Sequence, residues 1–130
     1  MAVVPMWKSH NENPINARVG DCVIRAISTA LSQPWEKTYA DLCVQGLMFC
    51  DLPSSNAVWG AYLAHKGYSR NAIPNACQCY TVEDFCRDNP KGTYILGTGT
   101  HALTVSNGDY YDVWDSGNET PIYYFERKEE

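Results

Sequence analysis

The sequence predicts an α+β domain in which helices come first and an antiparallel sheet follows. Apolar residues recur at helical spacing in the N-terminal half. From residue 93 the pattern changes to short segments rich in β-branched and aromatic residues. The dipeptide Asn107-Gly108 separates two of these segments and is typical of a two-residue hairpin turn, because both positions tolerate positive φ. Helices followed by hairpin-linked strands define the α+β class.

Four helices are expected. The first follows Asp21, a residue type that favours the N-cap position, and ends before Pro34. Three more are predicted within residues 35–47, 54–67 and 81–90. The apolar positions of the first helix share one face and are Val23, Ala26, Ile27, Ala30 and Leu31.

Four strands are expected after the helices. Their segments are separated by Gly, Asn or Pro, and they cover residues 93–97, 101–106, 109–115 and 121–126. The 130 residues contain no internal repeat and no linker, and they suffice for one core. We therefore expect a single domain spanning residues 1–130.

Composition excludes several classes of partner. The net charge is −5 and the ten Lys and Arg residues are scattered, so nucleic acid is not expected as a partner. No apolar run is long enough to cross a bilayer and the first residues do not resemble a signal peptide, so a cytoplasmic protein without a membrane partner is expected. In that compartment the six cysteines are predicted to be reduced.

Cys22 is the cysteine whose position favours chemistry. It directly follows Asp21 and so occupies the first position of the first predicted helix. Unpaired backbone N–H groups and the positive end of the helix dipole favour an anion there. Both effects stabilise a thiolate, which is the nucleophilic form of cysteine.

A thiolate nucleophile needs an imidazole that exchanges protons with it and a partner that orients the imidazole. His101 begins a predicted strand after the flexible segment 97–100, and across the predicted hairpin lie Asp112 and Asp115. The other histidines fit less well. His10 lies in a polar N-terminal stretch, and His65 lies on the apolar face of the third helix, where a partly buried structural role is expected.

The chain order of these residues resembles that of the papain-like cysteine peptidases. Cys22 on a helix comes first, His101 on a later strand follows, and an acid lies on the next strand. The motif is closest to the bacterial peptidases that cleave bacteriocin leaders, which have Gln, four residues and then Asp-Cys. Here Asn16 is followed by four residues and Asp21-Cys22. The resemblance implies that Asn16 binds the oxyanion together with the backbone N–H of Cys22.

The resemblance covers residues 16–31 and 95–117 and extends to small uncharacterised proteins of bacteria and phages. It bears on which acid orients His101. If Asn107-Gly108 forms a two-residue turn, strand alternation places Asp112 on the same side as His101 and Asp115 on the other. In the family, however, the orienting residue closes the strand, which implies Asp115. We therefore predict Asp115 as the partner of His101 and keep Asp112 as the alternative.

The resemblance implies a thiol amide hydrolase, a papain-like cysteine peptidase that works through an acyl-enzyme on a peptide or isopeptide substrate. No cofactor and no metal are expected. Two alternatives stay open: a catalytically silent papain-like binding or structural protein of phage or bacterial origin, and a cysteine acyltransferase with an amine in place of water. The sequence leaves the oligomeric state undetermined.

Overall fold

The computed structural model describes residues 4–74 and 79–127. Within them the chain forms four helices and one sheet of six strands, which confirms the α+β class. No helix in this part of the chain is long and apolar enough to cross a membrane. In chain order the elements are β1 (Trp7–Ser9), α1 (Cys22–Leu31), α2 (Trp35–Phe49), α3 (Asn56–His65), β2 (Tyr68–Ala72), α4 (Val82–Asp88), β3 (Thr93–Gly97), β4 (Ala102–Ser106), β5 (Asp109–Asp112) and β6 (Tyr123–Arg127).

The C-terminal strands β3 to β6 pair antiparallel, as predicted, but the sheet as a whole is mixed. Its strand order is β1-β5-β4-β3-β6-β2. The strand β1 pairs with β5 in parallel, and the other neighbours pair antiparallel. Neither β1 nor β2 was expected, because β1 has three residues and β2 carries the largely polar sequence YSRNA. Both lie at the edges of the sheet, where polar residues are tolerated.

The predicted hairpin is confirmed. Asn107 and Gly108 have φ angles of 51° and 83°, and Ser106 pairs with Asp109 across them. The loop therefore has two residues, and the register continues along the strands to the pair Thr104 and Tyr111. This register decides which side chains of β4 and β5 share a face of the sheet.

The core has two parts because helices cover both faces of the sheet. Ile95 and Leu96 are neighbours in β3 and point to opposite faces. Ile95 packs with apolar residues of α1, α2 and α3, whereas Leu96 packs with α4. The helices α1, α2 and α3 thus form one layer on the sheet, and α4 covers the other side.

The contact between α1 and the sheet positions the start of the helix. Ala26 and Ile27 are buried, and the buried hydroxyl of Thr104 in β4 donates a 2.7 Å hydrogen bond to the carbonyl of Ala26. A buried hydroxyl needs such a partner. The bond therefore fixes α1 along β4, with Cys22 beside the beginning of that strand.

The cysteines are only partly as expected. Cys22, Cys43, Cys50 and Cys86 are free. Cys79 is disulfide-bonded, so the prediction of reduced thiols is wrong for that residue. Cys77 lies outside the described residues.

The close approach of Gly97 to the ring of Tyr123 leads to a test of the packing. A Cβ atom built on Gly97 overlaps that ring, whereas a Cβ on Gly60 in α3 lies 3.8 Å from the nearest atom, Cζ of Phe125. Gly97→Ala should therefore reduce the free energy of unfolding by about 1–3 kcal/mol. The same change at Gly60, in a helix interior, should raise it by up to about 1 kcal/mol. Urea unfolding of both variants measures the two values, and equal effects would contradict the packing described here.

Candidate active site

Cys22 is the first residue of α1, as predicted, and Asp21 occupies the N-cap position. The side chain of Asp21 does not cap the helix, however. Its carboxylate is buried and accepts hydrogen bonds from Asn13 Nδ2 (3.2 Å), Arg25 Nε (2.7 Å) and Trp35 Nε1 (3.0 Å). Asp21 therefore links the loop before α1 to the helix and to α2.

His101 lies directly before β4 and contacts Asp112 at the end of β5. Its Nε2 atom is 2.5 Å from Oδ2 of Asp112, and the two side chains are 12% and 1% exposed. The ring of Trp114 lies beside the imidazole, with the ring centroids 5.2 Å apart. The imidazole is thus shielded from solvent and fixed by a charged hydrogen bond.

Cys22 is hydrogen-bonded to the side chain of His101 and to the backbone N–H of Ala102. Because Nε2 of His101 faces Asp112, Nδ1 is the nitrogen left for the thiol. Burial raises the pKa of Cys22, but these two hydrogen bonds and the charges of His101 and Arg25 outweigh it and lower the pKa below its ordinary value. The thiolate is therefore formed at lower pH than in an ordinary cysteine.

The pKa of His101 is raised to about 9. Burial alone lowers this pKa. The larger, opposite effect comes from Asp112 and Cys22, whose hydrogen bonds and negative charges raise it. Since this value exceeds the ordinary one of about 6.5, the imidazolium contributes to stability below about pH 6.5, and the contribution is lost as the pH rises through about 9. Between the lowered pKa of Cys22 and that value, the thiolate and the imidazolium coexist.

Four donors hold the carboxylate of Asp112. Its Oδ1 accepts from the backbone N–H of Val113 at 2.8 Å and from Nη1 of Arg25 at 3.4 Å. Its Oδ2 accepts from Oγ of the buried Ser116 at 2.7 Å and contacts His101. A buried carboxylate satisfied in this way has little freedom to rotate, so its direction toward His101 is fixed.

Asp115, the predicted partner of His101, lies elsewhere. Its Oδ1 accepts a 2.6 Å hydrogen bond from the hydroxyl of Tyr110 and a 3.1 Å bond from the backbone N–H of Gly117. The structure thus places the alternative acid, Asp112, beside His101 and corrects the expectation for Asp115. The physical reason is that β5 ends at Asp112, so the chain has left the sheet before it reaches Asp115.

Cys22 and His101 line a cleft of about 620 Å³. Asn16 also lines it, with a φ angle of 54° and an exposed side chain that makes no hydrogen bond to any described residue. Of the segment 97–100, Thr100 reaches this cleft. The cleft therefore joins the three residues predicted for nucleophile, base and oxyanion, and leaves the amide of Asn16 available to a ligand.

The sequence interpretation missed residues that support the site. Arg25 lies four residues after Asp21, and this i, i+4 spacing was a usable signal for an ion pair. Asn13 and Trp35 reach Asp21 through loop geometry and helix packing, for which the sequence has no local signal. No group of His, Cys, Asp and Glu residues among those described has the arrangement to hold a metal ion.

The remaining histidines lie outside the hydrogen-bonded cluster. His10 lines the cleft, but its Nε2 is 2.8 Å from Oε1 of Glu12. His65 is exposed at the end of α3, so the expected partly buried role is wrong. The site is thus defined by one cysteine, one histidine and one aspartate beside a cleft in an α+β protein. Searches of protein-family models, curated proteins and solved structures find no match for this chain.

The environment of Cys22 predicts a thiol that reacts at lower pH than an ordinary cysteine. Alkylation by iodoacetamide, followed for each cysteine-containing peptide by mass spectrometry, should give a lower midpoint for Cys22 than for an ordinary cysteine. His101→Asn should raise this midpoint, because the hydrogen bond and the positive charge are lost. A midpoint at or above the ordinary value in the unmodified protein would contradict an activated thiol.

The contact between His101 and Asp112 predicts the titration of the imidazole. In NMR spectra His101 should titrate near pH 9. Asp112→Asn should lower this pKa because the negative partner is removed. Asp115→Asn is the matched control and should leave it unchanged, since that carboxylate binds Tyr110. If the pKa of His101 fell in Asp115→Asn and not in Asp112→Asn, the contact described here would be contradicted.

Proposed function

We propose that this protein is a cysteine peptidase, a thiol hydrolase that cleaves amide bonds through an acyl-enzyme. The observation that carries the proposal is the hydrogen-bonded chain from Cys22 through His101 to Asp112 at the wall of a cleft. This order of nucleophile, base and orienting acid is that of a catalytic triad.

The reaction begins with the thiolate of Cys22 and the imidazolium of His101. The sulfur attacks the carbonyl carbon of the substrate amide, and a negative charge develops on the carbonyl oxygen. Collapse of this intermediate breaks the C–N bond as His101 donates its proton to the leaving nitrogen. His101 then takes a proton from water, which attacks the thioester and releases the acid and the thiolate.

Asp112 is the orienting acid in this proposal. It fixes the imidazole by its bond to Nε2, so that Nδ1 serves Cys22, and it stabilises the imidazolium. The anchoring by Val113 and Ser116 supports this role, because an acid that cannot rotate keeps the imidazole in one orientation.

Asn16 and the backbone N–H of Cys22 are the proposed oxyanion donors. The first N–H groups of a helix have no partner within the helix, and that of Cys22 belongs to the first turn of α1. The amide of Asn16 is exposed in the same cleft without another hydrogen bond among the described residues. Both are therefore available where charge develops on the substrate.

The proposal includes a papain-like arrangement of the chain. One supporting feature is the helix α1, which begins at Cys22 and packs on the sheet. The other is the pair of strands β4 and β5, which follows His101 and ends at Asp112. The proposed substrates are peptides or isopeptides. The proposed chemistry requires a reduced thiol, and Cys22 is free although Cys79 is disulfide-bonded.

The test is the capture of an acyl-enzyme. Incubation with a panel of peptide, isopeptide and muropeptide substrates, quenched in acid, should give a mass adduct on the peptide that contains Cys22. Cys22→Ala should give no adduct. If none of the substrates acylates Cys22 while the thiol is fully alkylated by iodoacetamide, the hydrolase proposal fails.

With any substrate that acylates Cys22, the two acids provide a matched pair. Asp112→Ala should slow acylation by about 100- to 10,000-fold, because an unoriented imidazole loses its tautomer and its cation loses stabilisation. Asp115→Ala should slow it far less. The reverse ranking would assign the orienting role to Asp115.

A further inference from the structure

Arg25 joins two buried carboxylates, that of Asp21 at the start of α1 and that of Asp112 at the end of β5. Its Nε is 2.7 Å from Oδ1 of Asp21, and its Nη1 is 3.4 Å from Oδ1 of Asp112. The side chain of Arg25 is 11% exposed, and those of the two acids are 4% and 1% exposed. The guanidinium is therefore largely removed from water and has two anionic partners.

We propose that Arg25 is a positioning residue of this site: it ties the helix that carries Cys22 to the carboxylate that orients His101, and its charge favours the thiolate. This inference rests on the proposed function, and it adds a residue that neither the triad nor the oxyanion site includes.

The helix geometry places Arg25 where it can make both contacts. It follows Cys22 by three residues and Asp21 by four, so all three lie on one side of the first turns of α1. A guanidinium is planar and presents several N–H donors in fixed directions, so one group can serve two carboxylates. Through it the end of β5 is linked to α1, in addition to the contact of α1 with β4.

The charges of the cluster alternate along the hydrogen-bonded chain. The thiolate of Cys22 faces the imidazolium of His101, which faces Asp112, and Arg25 lies between Asp112 and Asp21. Without Arg25, two buried carboxylates would lack their shared cation close to the thiolate. Like charges repel, so the neutral thiol of Cys22 would be favoured over the thiolate and the pKa of Cys22 would rise. The lowering of the pKa of Cys22 by the charge of Arg25 agrees with this.

Two other cations lie near the cluster, Arg18 in the same cleft and Arg70 over the ring of Tyr123, but among the described residues neither forms an ion pair with Asp21 or Asp112. His10 and Tyr111 line a small cavity with Arg25, and His10 is engaged by Glu12. Trp35 and Asn13 donate to Asp21 but are neutral. On the sheet side Tyr123 of β6 interacts with Cys22 and is also neutral, with a raised pKa. Arg25 is thus the cation that pairs with both carboxylates.

The test measures the pH dependence of Cys22 alkylation in the full chain, so it does not require a substrate. Arg25→Gln should move the midpoint to higher pH and slow alkylation on the acidic limb at least about threefold. Arg25→Lys should restore a midpoint near that of the unmodified protein, because the ammonium keeps the charge. Arg87→Gln is the control, because Arg87 pairs with Asp84 on the surface, and it should leave the midpoint unchanged.

An unchanged midpoint in a folded Arg25→Gln variant, with a loss of thermal stability alone, would overturn the proposal and leave Arg25 a purely structural residue. If Arg25→Gln does not fold, the alkylation midpoint of Cys22 in Arg25→Lys is the deciding measurement. A lysine variant whose midpoint rises as far as that of His101→Asn would overturn the proposal. An ordinary midpoint in the unmodified protein would instead count against the proposed function itself, so the two failures are distinguishable.

Discussion

The register of the β4–β5 hairpin is the constraint on which the site depends. Side chains alternate between the faces of a strand, so a slip of one residue would exchange every side chain of β5 with its neighbour. The left-handed conformations of Asn107 and Gly108 allow a turn of two residues, and this turn fixes the pairing of Ser106 with Asp109. Asp112 then ends β5, and its Oδ2 contacts Nε2 of His101, which lies directly before β4. The local chemistry of two turn residues thereby selects the acid that meets the imidazole.

Cys22 is placed beside this hairpin in a different way, by packing between segments far apart in the sequence. The helix α1 lies across β4, and the hydroxyl of Thr104 binds the carbonyl of Ala26 in a buried contact between residues 78 positions apart. The strand β1 adds a second restraint, because the backbone N–H of His10 and Nε1 of Trp7 both donate to the carbonyl of Asp112. The end of β5 is thus held by its main chain as well as by its carboxylate.

The features that could be predicted from the sequence are those determined by residues close together in the chain. The four helices and the hairpin carry periodicity, N-cap residues or turn residues within a few positions, and these predictions are confirmed. The strand β1 has three residues and exists through pairing with β5 more than one hundred positions away. For the acid, simple alternation from the turn already indicated Asp112, and the error came from preferring a strand-end layout over that geometry. The network around Asp21 depends on three separate segments, so no local pattern could reveal it.

The burial of the cluster and the shifted pKa values of Cys22 and His101 have one cause. Removing charges from water is costly, and the cost is offset when each charge lies against its opposite with the remaining hydrogen-bonding positions filled. Asp112 and Asp21 meet this condition, because Arg25, Ser116 and Trp35 donate hydrogen bonds to their carboxylates. The same negative charge of Asp112 then raises the pKa of His101 to about 9, and the imidazolium in turn lowers the pKa of Cys22. An apolar replacement for Arg25 would therefore act on the thiol in two ways, because the positive charge that favours the thiolate is lost and two nearby carboxylates lose their shared cation.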